Sequence, residues 1–175
     1  MNDATPPLPA SAAYVSDTLA LLGDLDPLEV LAETPDYILA RVEELDEEQF
    51  HIPEAPGKWS LAQVFMHMAD AEIAFGWRAR LLLTQDKPTL QGYDQGAWMT
   101  RFDGATTDPE QALDTLLTLR DWNMRVWQSA TAEDLTRIGI HSERGPESFE
   151  LLRRMAAGHD LRHRRQVDRI LAGIR

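Results

Sequence analysis

The sequence predicts an all-α protein, a four-helix bundle formed within a single domain. Helix-start signals recur along its 175 residues at intervals that suit a bundle. The alternation of β-branched and polar residues that marks half-buried strands is nearly absent. A chain of this length can bury one sizeable core, and no internal repeat, low-complexity run or linker divides it. We therefore expect one domain over residues 11–175.

Each of the four expected helix starts combines a capping side chain with a proline or with a second polar residue nearby. The signals are Thr34 before Pro35, Ser60 with Gln63 as a capping box, Asp108 before Pro109, and Ser148 after Gly145-Pro146. The long helices that follow them are expected at residues 35–46, 61–83, 109–129 and 149–172.

Two further segments lie outside these four helices. Ser11 to Leu22 predicts an additional helix, preceded by a loose arm over residues 1–10, which contain three prolines. The connection between the second and third helices, residues 83–108, is longer than most helix connections. It carries aromatic residues, and we expect it to form a crossover or a lid.

Composition narrows the chemistry that the chain can perform. It contains no cysteine, which excludes disulfides and thiolate metal sites and favours a reducing cytoplasm. The formal net charge of −12 disfavours nucleic-acid binding. No stretch resembles a signal peptide or a membrane span, so we expect a cytoplasmic protein without a membrane partner. Any metal must rest on nitrogen and oxygen ligands.

Two histidines of the last predicted helix point toward the core. His159 and His163 lie four residues apart, in the middle of the apolar arc of that helix. The arc contains Phe149, Leu152, Met155, Ala156, Val167 and Ile170. Two buried imidazoles at this spacing can converge on one cation, because neutral imidazole is a common metal ligand.

His67, on the second predicted helix, is the third candidate ligand. It lies at the edge of the apolar stripe, in line with Ala71 and Ala74, whose small side chains leave room for a pocket. Inward-facing histidines are also commonly satisfied by carbonyls or carboxylates. Spacing and orientation therefore leave a metal site and a metal-free cluster both open. We expect His51 and His141, in loops flanked by proline or glycine, to be exposed.

Two blocks of sequence resemble one protein family. PGKWSLAQVFMHMADAE, at residues 56–72, and GPESFELLRRMAAGHDLRHRRQV, at residues 145–167, are similar to the DinB-like superfamily, also called the YfiT-like metal-dependent hydrolases. The shared pattern is a Pro-Gly-Lys-Trp-Ser helix entry, a histidine seven residues after the serine, and His-x-x-x-His-x-x-Gln on the last helix. LQGYDQGAW resembles the family's middle loop, and the similarity spans about residues 24–172.

The resemblance implies an up-down-down-up bundle in which His67, His159 and His163 hold a divalent metal. Histidine ligands suit Zn²⁺, Ni²⁺, Fe²⁺ and Mn²⁺. Better-known relatives transfer bacillithiol to electrophiles or isomerise maleylpyruvate with mycothiol, so a low-molecular-weight thiol is an implied cosubstrate. Many members have no known substrate, and the family name refers to induction by DNA damage rather than to DNA chemistry.

Two residues next to the candidate ligands could support them. Gln166 follows His163 by three residues on the same arc, where it could hydrogen-bond a ligand or a bound substrate. Ordinary bonding between helices explains it equally well. Asp160 could orient an imidazole or act as a base, although a capping or surface position is the simpler expectation.

Other polar and aromatic residues have structural explanations beside functional ones. Asn123 lies in the apolar stripe of the third helix, and we expect it, like Arg78, to belong to a buried polar pair. Tyr93 and Trp98 could cover the mouth of a pocket, although filling of the core under a long loop is the commoner role. Trp59 precedes a helix cap and is expected to pack as a hydrophobic staple.

The leading hypothesis is a metal-dependent enzyme that activates a thiol or water for transfer to, or hydrolysis of, a small electrophilic molecule. This corresponds to a thiol S-transferase or a hydrolase, with no catalytic residue assigned. The alternatives are a metal- or small-ligand-binding stress-response protein without turnover and a metal-free interaction bundle. Homodimerisation is common among such bundles, and Leu161, expected to be exposed, offers it slight support.

Overall fold

A computed structural model describes residues 9–174 as a predominantly helical protein. Its helices are α1 (Pro9–Leu22), α2 (Pro27–Val42), α3 (Glu47–Phe50), α4 (Leu61–Thr84), α5 (Gln95–Arg101), α6 (Pro109–Ser129) and α7 (Phe149–Ile174). α4 packs against α6 and α7, α2 packs against the other side of the same pair, and α1 lies along α7. The predicted fold class, a four-helix bundle with an additional N-terminal helix, is confirmed.

Three of the four long helices begin where their caps predict. Ser60 and Gln63 form the expected capping box at the start of α4. Asp108 accepts hydrogen bonds from two backbone N–H groups at the start of α6, and Ser148 accepts one from Leu151 at 3.0 Å in α7. These side chains satisfy N–H groups that have no partner inside the helix. The predicted arm is outside the described residues as far as residue 8, and Pro9 begins α1.

The expected start of the first long helix at Thr34-Pro35 is wrong. α2 begins at Pro27, where the Asp26 carboxylate accepts a hydrogen bond from Leu28 N–H, and Pro35 lies inside the helix. Because proline has no N–H, it leaves the carbonyl oxygen four residues earlier without a helical partner. That oxygen, on Leu31, accepts a hydrogen bond of 2.7 Å from Arg120 of α6.

The connection between α4 and α6 is ordered, and part of it joins a small sheet that the sequence did not predict. Strand β1 (Thr89–Leu90) runs parallel to β2 (Ile138–His141), which pairs antiparallel with β3 (Gly145–Ser148). Gly139 leaves space for this pairing, since a Cβ there would lie 2.9 Å from the carbonyl oxygen of Pro88. The sheet fixes the segment after β1 beside the turn between β2 and β3.

The core lies between the long helices, as their patterns predict. Every residue of the predicted apolar arc of α7 is buried. Leu161, expected to be exposed, is instead partly buried against the core, because α1 covers this side of α7. Among the described residues, no helix is both long and apolar enough to cross a membrane.

Candidate metal centre

Helices α4 and α7 bring three histidines together inside the bundle. Residues four apart on a helix share one face, and His159 and His163 turn that face of α7 toward His67 of α4. The Nε2 atoms of His67 and His159 are 3.0 Å apart. One nitrogen from each of the three rings lies within 4.8 Å of the others. The convergence expected from the sequence is therefore present.

Burial keeps these imidazoles neutral. The three side chains are only 3–6% exposed. Burial, with a smaller contribution from His163, lowers the pKa of His67 to about 3. Burial also lowers the pKa of His163 to about 4 and holds that of His159 well below its ordinary value. Near neutral pH the rings therefore offer lone pairs, the form of imidazole that binds metals.

Gln166 determines the orientation of one ring. Its Oε1 lies 2.9 Å from Nδ1 of His163. An amide oxygen only accepts hydrogen bonds, so Nδ1 carries the proton and Nε2 keeps its lone pair. A hydrogen bond of this kind fixes the tautomer of a metal-binding histidine.

The donor set fits a divalent ion. Zinc binds imidazole nitrogen at about 2.0–2.1 Å, so nitrogens 3.0 Å apart are within reach of one ion. Two aromatic rings flank the cluster: Trp59, with its ring centroid 5.0 Å from that of His67, and Phe75, whose edge contacts His159. The predicted staple residue Trp59 thus also lies against the cluster.

Asp160 is buried and paired, which corrects the expected surface or capping position. Its carboxylate accepts hydrogen bonds of 2.7 and 3.0 Å from Arg120. The same guanidinium donates to Glu72 at 2.8 Å. Burial alone would lower the pKa of Arg120, but Asp160 and Glu72 raise it above its ordinary value, so it stays charged. Asp160 thus joins α7 to α6, one residue from His159.

Asn123 belongs to the same network, as the expected buried polar pair. Its Nδ2 donates to Glu72 Oε2 at 2.9 Å, and its Oδ1 accepts from Arg80 at 2.8 Å. This contact requires Gly76, because a Cβ at that position would lie 2.3 Å from Oδ1 of Asn123. The network connects α6 to α4 and α7, the two helices that carry the histidines.

A cavity of about 360 Å³ reaches His159 from the surface. Its walls include Tyr14 of α1, Phe75 and Arg78 of α4, Tyr93 of the long connection, and His141 of β2. Tyr93 therefore lies in a cavity wall, the less common of the two roles considered for it. Trp98 packs on Tyr93, with ring centroids 4.6 Å apart. Arg78 was expected in a buried polar pair, and its Nε and Nη2 both donate to the carbonyl oxygen of Gln91, at 3.2 and 2.7 Å.

His141 contradicts its expected exposure, whereas His51 is exposed as predicted. His141 is only 2% exposed, because the sheet with β1 places it beneath the long connection. The burial of this residue was not predicted from the sequence. The four-residue alternation of β2 is too short to indicate a strand by itself, and its partner β1 lies about fifty residues earlier.

Comparisons with known proteins agree with the fold. The sequence profile of the DinB superfamily matches residues 31–167. YfiT of Bacillus subtilis is 34% identical over 125 residues, 71% of this chain and 68% of that protein. A Bacillus licheniformis protein, named as a candidate metal-dependent hydrolase, is 31% identical over 67% of this chain and 66% of its own length.

A solved structure extends the comparison to three dimensions. The structure of YfiT from Bacillus subtilis, described as a probable metal-dependent hydrolase with an unusual four-helix bundle topology, superposes with a TM-score of 0.75. The match has 26% sequence identity and covers 82% of this chain and 83% of that one. The matched profile, the similar sequences and the shared bundle show that the chain belongs to the DinB superfamily.

Proposed function

We propose that the chain is a metal-dependent enzyme in which His67, His159 and His163 bind a divalent cation. The observation that carries the proposal is the convergence of three buried imidazole nitrogens within 4.8 Å of one another. The lowered pKa values of the rings support it, because protons do not compete with a metal near neutral pH. The names of similar proteins, candidate metal-dependent hydrolases, point to the same chemistry.

The chemistry we propose is activation of a small nucleophile. Three neutral imidazole nitrogens would hold a divalent ion with a coordination position left open, where the ion would lower the pKa of a water or thiol toward neutrality. The ion would be Zn²⁺, Ni²⁺, Fe²⁺ or Mn²⁺. Because the chain contains no cysteine, a thiol would enter as a cosubstrate. The cavity beside His159 supports access of a small electrophile to this position.

A purified, tag-free protein loaded with each metal tests the proposal. We expect it to accelerate either the reaction of glutathione with 1-chloro-2,4-dinitrobenzene or the hydrolysis of p-nitrophenyl acetate. His67→Ala should lose both the metal and the rate. His51→Ala is the matched control, because His51 is exposed and lies outside the cluster. Rates equal in the wild type and His67→Ala across thiols and electrophiles would count against an enzyme.

A non-catalytic metal- or ligand-binding protein, such as a stress-response protein, is the second candidate. The observation that favours it is that the three histidines join two helices and are almost completely buried, as in a structural metal site. Removal of the metal separates the two functions. A structural ion should contribute several kcal/mol to the free energy of unfolding, whereas removal of a catalytic ion should leave a folded, inactive bundle.

The partner we propose is a small molecule, since the net charge of −12 repels nucleic acid. Homodimerisation remains a prediction. Sedimentation velocity over a range of protein concentrations tests it directly, and the same experiment with added chelator shows whether the metal contributes to assembly.

A further inference from the structure

His141, which lines the cavity beside His159, carries a buried hydrogen-bond donor without a partner among the described residues. The backbone N–H of Glu143 donates to Nδ1 of His141 at 3.1 Å. Since Nδ1 accepts this bond, the proton of the neutral ring must lie on Nε2. Within the described part of the chain, that Nε2 is buried and has no hydrogen-bond partner. A buried donor without a partner costs free energy, so its position in the cavity wall indicates that the cavity binds a group that accepts hydrogen bonds.

A buried cation faces the same cavity. Arg78 is 5% exposed, and its Nε and Nη2 donate to the carbonyl oxygen of Gln91. Its Nη1 takes part in neither bond. The hydroxyl of Tyr93 adds a third donor, because burial raises its pKa to about 12 and keeps it protonated. The inner wall of the cavity thus presents donors from three separate segments.

The carboxylates near the cavity do not neutralise its hydrogen-bond donors. Glu147 is held by Arg144 through two hydrogen bonds of 2.6 and 3.0 Å. Glu143 also lines the cavity, but its side chain is exposed, and its charge acts on Arg78 less strongly than that of Glu147. Gln95 and Arg144 also line the cavity, and the rest of the wall is mainly aromatic and apolar, with Phe75 and Met155 beside His159. The cavity volume of 360 Å³ lies within the range of small-molecule pockets.

We propose that this cavity binds the carboxylate of a small, mainly apolar substrate, with Arg78 and Nε2–H of His141 as its hydrogen-bond donors. The body of the substrate lies between Phe75 and Met155 and reaches His159. The inference rests on the proposed function in taking His159 as part of the reactive centre. It adds the class of substrate, a carboxylic acid, and two residues that recognise it.

Sodium benzoate is the probe, with benzamide as a neutral molecule of the same shape. In the full chain with ¹⁵N-labelled histidine, NMR reports the ring nitrogens of His141 directly. We expect benzoate to shift the Nε2 resonance saturably and to bind about tenfold more tightly than benzamide, the factor that corresponds to about 1.4 kcal/mol. Equal affinity for the two probes, or benzoate binding without a change at His141, would overturn the proposal.

Variants identify the donors. Arg78→Met keeps an unbranched apolar stem but removes the guanidinium donors, and it should weaken benzoate binding about tenfold. His141→Leu should also weaken it, whereas His141→Gln, which keeps an N–H donor, should retain more affinity than the leucine variant. Arg41→Met, on α2, is the matched control and should bind benzoate like the wild type. Should Arg78→Met fail to fold, the titration of the wild type decides alone.

Chelation separates this proposal from the proposed function. Benzoate held by Arg78 and His141 keeps its affinity when EDTA removes the metal. Affinity that is lost with EDTA and retained in Arg78→Met would place the carboxylate on the ion and overturn the inference. Metal content is measured in the same samples, so a chain that binds no metal would contradict the proposed function while the titration still tests the cavity.

Discussion

Replacement of Arg120 by methionine should destabilise the bundle more than any exposed arginine substitution. Arg120 is 3% exposed and donates to the carboxylates of Glu72 and Asp160 and to the carbonyl oxygen of Leu31. Methionine fills much of the same volume and donates nothing. The variant therefore leaves two buried carboxylates and one carbonyl oxygen without their cationic partner.

The expected loss follows from these contacts. Removal of one member of a buried ion pair typically costs about 3–5 kcal/mol, because the remaining charge is buried without compensation. Glu72 keeps its hydrogen bond from Asn123 in the variant. We therefore expect a loss of free energy of unfolding near this range, rather than the sum of the losses for two separate ion pairs. Burial raises the pKa of Asp160, and Arg120 opposes that rise. Without the cation the pKa of this carboxyl should rise further, so the difference from the wild type should shrink as pH falls and the carboxyl takes up a proton in the folded variant.

Urea unfolding measures the loss, with Arg41→Met as the control. Arg41 is also paired with a carboxylate, that of Asp168, but the two side chains are 35% and 50% exposed. Exposed pairs contribute about 0.2–1 kcal/mol. If the free energies of unfolding of the two variants agree within about 1 kcal/mol, the buried network does not stabilise the bundle as described.

Three further predictions test neighbouring parts of the structure. Burial lowers the pKa of His141 to about 3. As pH falls below 6.5, the unfolded chain therefore takes up a proton that the folded chain does not, and the free energy of unfolding decreases. Urea unfolding at several pH values should show a larger loss of stability on acidification in the wild type than in His141→Gln. Gly76→Ala places a Cβ 2.3 Å from Oδ1 of Asn123 and should cost about 1–3 kcal/mol in thermal and urea unfolding, whereas Gly173→Ala, which meets no atom within 4 Å, should cost nothing. Gln166→Leu removes the acceptor on Nδ1 of a candidate ligand and should weaken metal affinity about 10–100-fold in competition with a chelator; an unchanged affinity would contradict that role.

The helices and the direction of the histidines were predictable because their causes are local. Ser60, Asp108 and Ser148 cap neighbouring N–H groups, and these signals lie within one turn of the helix they start. The positions of His159 and His163 follow from the helical period alone. His67 was a candidate from its position beside the apolar stripe of α4, but its meeting with the other two histidines depends on the packing of α4 on α7, which the family resemblance implied.

The failures of prediction have long-range causes. By local rules, Pro35 predicts the start of a helix. The helix instead continues through it, because Arg120, 85 residues later, donates a hydrogen bond to the Leu31 carbonyl oxygen that the proline leaves without a partner. His141 is buried because β2 pairs with β1, although α5 and α6 separate the two strands in the sequence. Asp160 was expected at the surface or as a cap, since no local pattern indicates that Arg120 will face it from another helix.

The most direct test of the account is anomalous diffraction from crystals of tag-free protein, recorded on both sides of the absorption edge of the metal found by elemental analysis. We predict one peak at about 2.0–2.1 Å from a ring nitrogen of each of His67, His159 and His163. If crystals of metal-supplemented protein show these rings hydrogen-bonded to one another, with no anomalous peak between them, the proposed metal site is contradicted.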